Sequence, residues 1–452
     1  MQTPSQTYAE HARAILRLGM PLILSNVAQF AIHMTDTLML GWYDVTALAA
    51  ATIATSLFFV TFIVGAGFAQ AVTPLVAAAA EENDDTQVRR VTRMGLWLSA
   101  IYGAVFTLPF YWSESILLAI GQTPEVAALA HDYLVIVAIQ MIPALFVMTL
   151  KSFLAALEHT GVILWATIGT ALLNGVINYA LIFGNWGAPE MGIRGAAIAS
   201  LVVTVISVIW LFAYALRVLP QFDLLRNVWK SDWRIFWRVF HLGWPIGLTS
   251  LAEGGLFSAS AVMMGWIGAV PLAAHGIALQ LAATAFMVHI GLSQAATVRA
   301  GRALGRGDGT ALREGGITAI ALSAAFAVCA VAAFLLIPET LISLFIDPAE
   351  PERPALLAIG VTLLAFAALF QMVDALQVMA LGLLRGVQDT TVPMIMASVS
   401  YWVIGLPVSY LLAFKLGLGA AGLWLGLVVG LTCAAISLHW RFWRHAVLRV
   451  PT

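Results

Sequence analysis

Three acidic residues lie inside long apolar stretches of the sequence. Nearly all of the 23 acidic residues fall in polar segments or at the edges of apolar ones, and the exceptions are Asp36, Glu253 and Asp374. A charged side chain in the middle of a membrane costs about 3 kcal/mol on insertion scales, so such residues usually face an internal cavity and mark an ion path. Their carboxylates predict a site that binds a cation or a proton.

The three carboxylates lie at different depths. Glu253 stands thirteen positions before Trp266, which is about 20 Å along a helix, and Asp374 is near the middle of its apolar stretch. Asp36 stands five positions before Gly41, only about 8 Å from the end of its stretch. At that depth, hydrogen bonding to lipid headgroups is an alternative to ion binding.

Two asparagines give Asp36 candidate partners. Asn174 and Asn178 are four residues apart in one apolar stretch, so they share a helix face. Asn178 precedes Gly184 by six positions, which matches the depth of Asp36. One carboxylate and two amide oxygens suit a hard cation such as sodium, or a proton held by hydrogen bonds. Paired asparagines also tie membrane helices together, and this second interpretation stays open.

The composition indicates where these residues must be held. The sequence is 61% hydrophobic and 10% charged, with a mean hydropathy of +0.92, whereas soluble domains carry about 25% charged residues. Stretches of about 20 apolar residues predict membrane-spanning helices rather than the short alternating strands of a barrel. We therefore predict an all-α polytopic membrane protein with twelve transmembrane helices, near 13–41, 46–78, 90–112, 126–150, 162–184, 193–217, 235–266, 271–300, 314–337, 354–385, 391–414 and 420–441.

Basic residues predict the orientation of the helices. With a cytoplasmic N-terminus, the inner segments hold 19 of the 22 Lys and Arg residues, and the outer segments keep Arg194, Arg353 and Lys415. This count predicts that both termini are cytoplasmic, and it leaves no basic residue for the membrane interior. No cleavable signal and no phosphate-binding P-loop are visible, so an ion gradient rather than ATP must supply energy.

An internal repeat divides the sequence. A shift of 224 positions superimposes unlike residue types in one ungapped register, namely Pro21 on Pro245, Gly67 on Gly291, Gln70 on Gln294, Thr73 on Thr297, Asp84 on Asp308 and Arg89 on Arg313. We predict two pseudo-symmetric six-helix lobes, 1–220 and 235–452, with a cytoplasmic linker at 221–234. The same shift places Asp36 on Ser260 and Glu253 on Gln29, so the fold itself does not require a carboxylate at either position. Transporters built from repeats bind substrate near the bilayer midplane.

Three motifs together carry a resemblance to a known family. They are QFAIHMTDTLMLG at 29–41, EGG at 253–255, and DALQ at 374–377 followed by LRG at 384–386. Over essentially its whole length the sequence resembles the multidrug and toxic compound extrusion (MATE) family, in its NorM-like branch. The resemblance implies that Glu253 and Asp374 form the cation site of the second lobe, as candidate sodium ligands, and that Asp36, Asn174 and Asn178 form that of the first. Phe370 stands one turn before Asp374 and lacks the hydroxyl that some relatives carry at this position.

The resemblance also implies an activity. We expect a secondary antiporter in the bacterial inner membrane that exports cationic amphiphilic small molecules in exchange for Na+ or H+, with Asp36, Glu253 and Asp374 also binding the substrate. No cofactor and no nucleic acid are expected, the bilayer is the other partner, and the protein is expected to be a monomer. Alternatives are a flippase for a lipid-linked headgroup, which predicts basic residues in the cavity, and a membrane-embedded enzyme with Glu253 and Asp374 as acid and base. A channel would differ in lacking uphill transport.

Overall fold

The protein is described by a computed structural model that covers residues 7–450. Within this range the chain forms helices and connecting turns and contains no strand. Twelve helices are long and apolar enough to cross a membrane. They are α1 (Tyr8–Tyr43), α2 (Val45–Glu81), α3 (Asp85–Phe106), α4 (Pro124–Ala156), α5 (Thr160–Phe183), α6 (Gly192–Val218), α7 (Trp233–Ile267), α8 (Ala269–Arg306), α9 (Gly309–Leu336), α10 (Arg353–Gly386), α11 (Thr391–Lys415) and α12 (Gly419–Ala446).

The helices confirm the all-α class and all twelve predicted spans, although their ends differ. The span predicted at 271–300, for example, belongs to a helix that continues to Arg306. Backbone hydrogen bonding extends a helix beyond the apolar layer, and hydropathy does not record this continuation. After α3 the chain continues through two short helices, Leu108–Trp112 and Ser113–Ala119, before α4 begins.

The residues that the repeat superimposes build the same turn twice. Asp84 and Asp308 cap α3 and α9, because their carboxylates accept hydrogen bonds from Gln87 N at 2.9 Å and Ala311 N at 2.8 Å. The residues just before them, Asn83 and Gly307, have φ of 56° and 66°, a left-handed conformation that Gly and Asn tolerate best. Local backbone chemistry therefore accounts for these conserved positions of the repeat.

The chain divides into two compact units that differ from the predicted lobes. The first unit is Leu24–Gly247, and the second unit comprises the described residues up to Ile23 together with those from Leu248 onward. Both changes of unit occur inside a helix, in α1 and in α7. The predicted lobe boundary differs because the prediction placed boundaries only in loops between helices. The lobes 1–220 and 235–452 and the linker 221–234 remain a prediction.

Each unit has one central helix. In the first unit α4 packs against α2, α3 and α6, and in the second unit α10 packs against α8, α9 and α12. Hydroxyl groups join α8 to α10, since Ser293 donates to Val378 O at 2.9 Å and Thr297 donates to Gly382 O at 2.8 Å. Such polar contacts join helices that have no hydrophobic reason to associate in lipid. They fix α10, the helix that carries Asp374.

Candidate functional sites

The first site lies in the first unit and is built around Asp36. We call Asp36, Asn174, Asn178 and Ser200 the Asp36 cluster. The side-chain amides of Asn174 and Asn178 both donate to Oδ1 of Asp36, at 2.6 Å and 2.5 Å. The hydroxyl of Ser200, on α6, donates to Oδ2 at 3.3 Å. The sequence prediction that Asp36, Asn174 and Asn178 lie together agrees with this geometry.

The amide oxygens of the Asp36 cluster have no hydrogen-bond partner. Oδ1 of Asn174 and Oδ1 of Asn178 are buried and make no hydrogen bond, and both side chains are fully buried. An ionised carboxylate only accepts hydrogen bonds, so the amides turn their NH2 groups toward Asp36. A half-turn of each amide would bring its oxygen there instead. The cluster thus contains the oxygen atoms for a cation, and the same donors would stabilise an ionised carboxylate.

Ser200 was not found from the sequence. Ser200 shares a face of α6 with Thr204 and Ser207, but hydroxyl residues in apolar spans commonly bond to their own helix backbone, as Thr204 does to Ser200 O at 2.7 Å. The Ser200 hydroxyl is placed by the packing of α6 beside α5. The equal depth of Ser200 and Asp36 along their spans was the available signal.

The second site lies in the second unit, around Glu253 on α7 and Asp374 on α10. Asp374 is only 2% exposed and Glu253 is partly buried. The Oε1 atom of Glu253 and the Oδ1 atom of Asp374 are buried without a hydrogen-bond partner. These two carboxylates lie close enough to interact electrostatically. Unlike Asp36, each presents an oxygen that no protein donor satisfies.

Three polar residues complete this carboxylate cluster, which we define as Glu253, Asp374, Gln371, Gln377 and Tyr401. Gln377 Nε2 donates to the Tyr401 hydroxyl at 2.5 Å, and both residues are fully buried. Tyr401 interacts electrostatically with both carboxylates. None of these three residues was predicted as part of the site, although Gln371 and Gln377 flank Asp374 at a spacing of three residues on the same helix. Gln377 did stand in the DALQ motif.

Phe370 has an apolar role in this region. It is 3% exposed, and its ring meets those of Phe257 at 5.9 Å and Trp424 at 5.7 Å, both edge to face. The phenol that this position lacks is present instead on α11, as Tyr401.

The expectation that no basic residue lies near the buried acids is wrong for Glu253. Arg385 was assigned to a cytoplasmic segment, yet its half-buried side chain interacts electrostatically with Glu253 and Tyr401. Helical side chains point toward the N-terminus of their own helix. Because α10 ends at Gly386 on the predicted cytoplasmic side, the guanidinium of Arg385 is directed back toward the membrane interior.

The two clusters are not sites of the kind that hold transition metals. Among residues 7–450, no group of three His, Cys, Asp or Glu side chains comes together as metal ligands. Each cluster instead combines one or two carboxylates with neutral amides and a hydroxyl. Hard monovalent cations and protons suit such donors.

Twelve spanning helices in a repeated arrangement, with carboxylates buried inside them, define a polytopic membrane transporter. A family model described as MatE matches residues 21–180 and 245–411, and its two matches begin at Pro21 and Pro245, in the register of the internal repeat. The chain belongs to the MatE family of transporters, which are not enzymes and need no cofactor.

Relatives of this chain extend over almost its whole length. A protein of Rhizobium meliloti (strain 1021) described as "Probable multidrug resistance protein NorM" is 46% identical over 97% of this chain and 94% of its own length. "Multidrug resistance protein NorM" of Burkholderia vietnamiensis is 35% identical, over 96% of this chain and 94% of its own. These relatives and the twelve apolar helices identify a multi-pass inner-membrane protein.

Solved structures confirm the fold. A structure described as "Crystal structure of MATE in complex with MaL6" has a TM-score of 0.88 at 20% identity, over 97% of each chain. The "Outward-facing conformation of a multidrug resistance MATE family transporter of the MOP superfamily" gives 0.87 at 21% identity, over 98% of this chain and 97% of that one.

Proposed function

We propose that this protein is a secondary active multidrug efflux antiporter, which exports organic cations in exchange for Na+ or H+ by alternating access. The observation that carries the proposal is the pair of buried carboxylate clusters, at Asp36 and at Glu253 with Asp374. The printed names of the relatives, as multidrug resistance proteins, support the same substrate class. Cytoplasmic termini, a monomeric state and the positive charge of the substrate belong to this proposal.

The mechanism is competition for negative charge. A carboxylate held away from water attracts a positive charge strongly, because the surrounding dielectric is low. A cationic substrate and a coupling cation therefore exclude each other at Glu253 and Asp374, and Asp36 with Asn174 and Asn178 provides a second place for the coupling ion. When Na+ or H+ neutralises the carboxylates from outside, the substrate loses its counter-charge and leaves. The reloaded protein then returns to the cytoplasmic side.

The flippase alternative is less favoured by this chemistry. A lipid-linked anionic headgroup needs basic partners, and both clusters are acidic or neutral apart from the single guanidinium of Arg385. The same assay separates the two functions, since a flippase would not move a soluble fluorescent cation.

The test is uptake of ethidium into everted membrane vesicles, with a lumen-high Na+ gradient and an acidic-lumen pH gradient imposed separately. Uptake by everted vesicles corresponds to export from cells. Wild-type protein should accumulate ethidium against its gradient in response to at least one of the two ions. Glu253→Gln and Asp374→Asn should each abolish accumulation while protein remains in the membrane.

The matched control is Glu339→Gln, which neutralises an exposed carboxylate of the second unit. It should transport as well as wild type. Normal accumulation by both Glu253→Gln and Asp374→Asn would refute the proposed mechanism, and accumulation that needs neither ion gradient would refute antiport.

A further inference from the structure

Gln371 is the buried polar side chain that the fold leaves least explained. It is 0% exposed, and neither its Oε1 nor its Nε2 has a hydrogen-bond partner. A buried polar group without a partner costs about 1–3 kcal/mol, so an amide with both ends unpaired points to a ligand or water at that place. Gln371 precedes Asp374 by three residues on α10, which puts the two side chains on neighbouring positions of one helix face.

A second amide on α10 is only half satisfied. Gln377 follows Asp374 by three residues, and its Nε2 is held by the Tyr401 hydroxyl at 2.5 Å. Its Oε1 is buried and makes no hydrogen bond. With Nε2 donating to Tyr401, the atom of this amide that is left unpaired is the oxygen.

Apart from Nε2 of Gln371, the unpaired atoms of the carboxylate cluster share one chemical character. Glu253 Oε1, Asp374 Oδ1, Gln371 Oε1 and Gln377 Oε1 are all acceptors, and no protein donor reaches any of them. A proton would turn one carboxylate into a single O–H donor, which could satisfy only one of the remaining acceptors. A dehydrated monovalent cation, in contrast, needs several hard oxygen ligands at once, including neutral ones. Since Arg385 already offsets part of the charge of Glu253, the cluster is better matched to one positive charge than to two.

We propose that Gln371 and Gln377 are the neutral ligands of a sodium ion held by Glu253 and Asp374, with Tyr401 positioning Gln377. This proposal rests on the cation exchange proposed above and names the coupling ion of the second unit. Gln371 contributes its amide oxygen directly, and α10 thus supplies three of the four oxygen-bearing side chains, at intervals of three residues.

The test measures sodium binding by purified full-length protein, from the rise of its unfolding temperature as NaCl replaces choline chloride at constant ionic strength. A ligand that binds only the folded protein raises its stability by RT ln(1 + [L]/Kd), so a weaker site needs more ligand for the same rise in unfolding temperature. All variants carry Asp36→Asn, so that only the carboxylate cluster of the second unit responds. Adding Gln371→Leu should raise the sodium concentration needed for a given rise in unfolding temperature by about tenfold or more. Tyr401→Phe should raise it by a smaller factor.

Two further measurements separate a ligand from a packing residue. Without sodium, Gln371→Leu should be as stable as its parent or more stable, because no hydrogen bond is lost. Met372→Leu, the neighbouring residue on α10, should leave both stability and sodium response unchanged. Gln371→Glu, which keeps a polar oxygen and adds charge, should bind sodium more tightly than its parent.

The inference is overturned if the parent shows no sodium-specific stabilisation, or if Gln371→Leu keeps the full response. A loss of stability in Gln371→Leu that is the same with and without sodium would also overturn it. Each of these outcomes leaves the proposed antiport untouched, because that function is judged by ethidium accumulation in the Glu253→Gln and Asp374→Asn variants.

Discussion

The Asp36 cluster and the carboxylate cluster occupy the two halves of one repeat, but their acids are satisfied differently. Asp36 accepts hydrogen bonds from three side chains, whereas Glu253 and Asp374 each keep an oxygen without a donor. The repeat partner of Asp36 is Ser260, which bonds to Phe257 O at 2.7 Å and lies 3.4 Å from His275 Nε2. One half therefore presents a preorganised acceptor, and the other presents carboxylate oxygens that no hydrogen-bond donor satisfies.

Helix packing explains why the second unit has no counterpart of the two asparagines. The Leu181 carbonyl lies against Gly195 where α5 meets α6, and the Leu412 carbonyl lies against Gly422 where α11 meets α12, so the two contacts are equivalent. Asn174 and Gly405 each stand seven residues before their leucine, so they correspond. Asn178 and Ser409 each stand three residues before it and correspond in the same way. Gly405 lies against Gly430, and Ser409 lies against Gly426. At the positions that correspond to the two asparagines by this count, α11 is thus in close contact with the backbone of α12.

The largest expected effect tests this close packing. A Cβ atom at Gly426 would collide with the backbone and side chain of Ser409, which have no room to move. Gly426→Val should therefore destabilise the protein by more than about 3 kcal/mol and reduce the yield of folded protein sharply. Gly276→Val is the matched control, because a Cβ there meets nothing within 4 Å. Size-exclusion profiles of the two variants measure the difference, and equal yields would show that α11 and α12 can separate.

The next largest effect distinguishes the hydrogen-bonded carboxylate of Asp36 from the carboxylate of Asp374, which keeps an unpaired oxygen. Asp36→Ala removes the acceptor of two buried amide groups, so the free energy of unfolding should fall by about 2–4 kcal/mol. Asp374→Ala also removes a buried carboxylate, but one with an unpaired oxygen, so the free energy of unfolding should change by less than about 1 kcal/mol. Thermal unfolding in sodium-free choline buffer measures both values. If Asp374→Ala is as destabilising as Asp36→Ala, the distinction between the two clusters fails.

The sequence could predict features that recur at a fixed spacing. The twelve spans follow from apolar length, and the repeat register from residues such as Asp84 and Asp308, whose capping role the structure explains. Asp36 and Asn174 could be brought together because equal depth and a shared helix face are readable from the sequence. Ser200, Gln371 and Tyr401 could not be found in this way, since which face of an apolar helix turns inward is decided by tertiary packing.

Neither the interaction of Arg385 with Glu253 nor the division into compact units could be predicted from the sequence, for related reasons. Basic residues at the ends of spans are normally retained on the cytoplasmic side. That rule does not say in which direction along its helix a long side chain points. Likewise, α1 and α7 are each one continuous helix, so nothing in the sequence marks the passage from one unit to the other within them.

The smallest expected effect concerns two side-chain contacts that stand at equivalent places in the two units but differ in charge. In the second unit Arg441 donates to both oxygens of Asp389, at 2.6 Å and 3.2 Å, with side chains only 15% and 23% exposed. In the first unit the equivalent contact is neutral, between Tyr214 OH and His159 Nδ1 at 3.0 Å. Arg441→Met should cost about 1.5–3 kcal/mol, and Tyr214→Phe about 1 kcal/mol.

The salt dependence of the stability loss distinguishes the two pairs more clearly than the size of the loss does. An ion pair that is partly open to water is screened by added salt, whereas a bond between neutral groups is not. The cost of Arg441→Met should therefore shrink when unfolding is measured at high ionic strength, with choline chloride as the added salt. The cost of Tyr214→Phe should stay the same. If both costs respond equally to salt, the stated difference in charge between the two pairs is wrong.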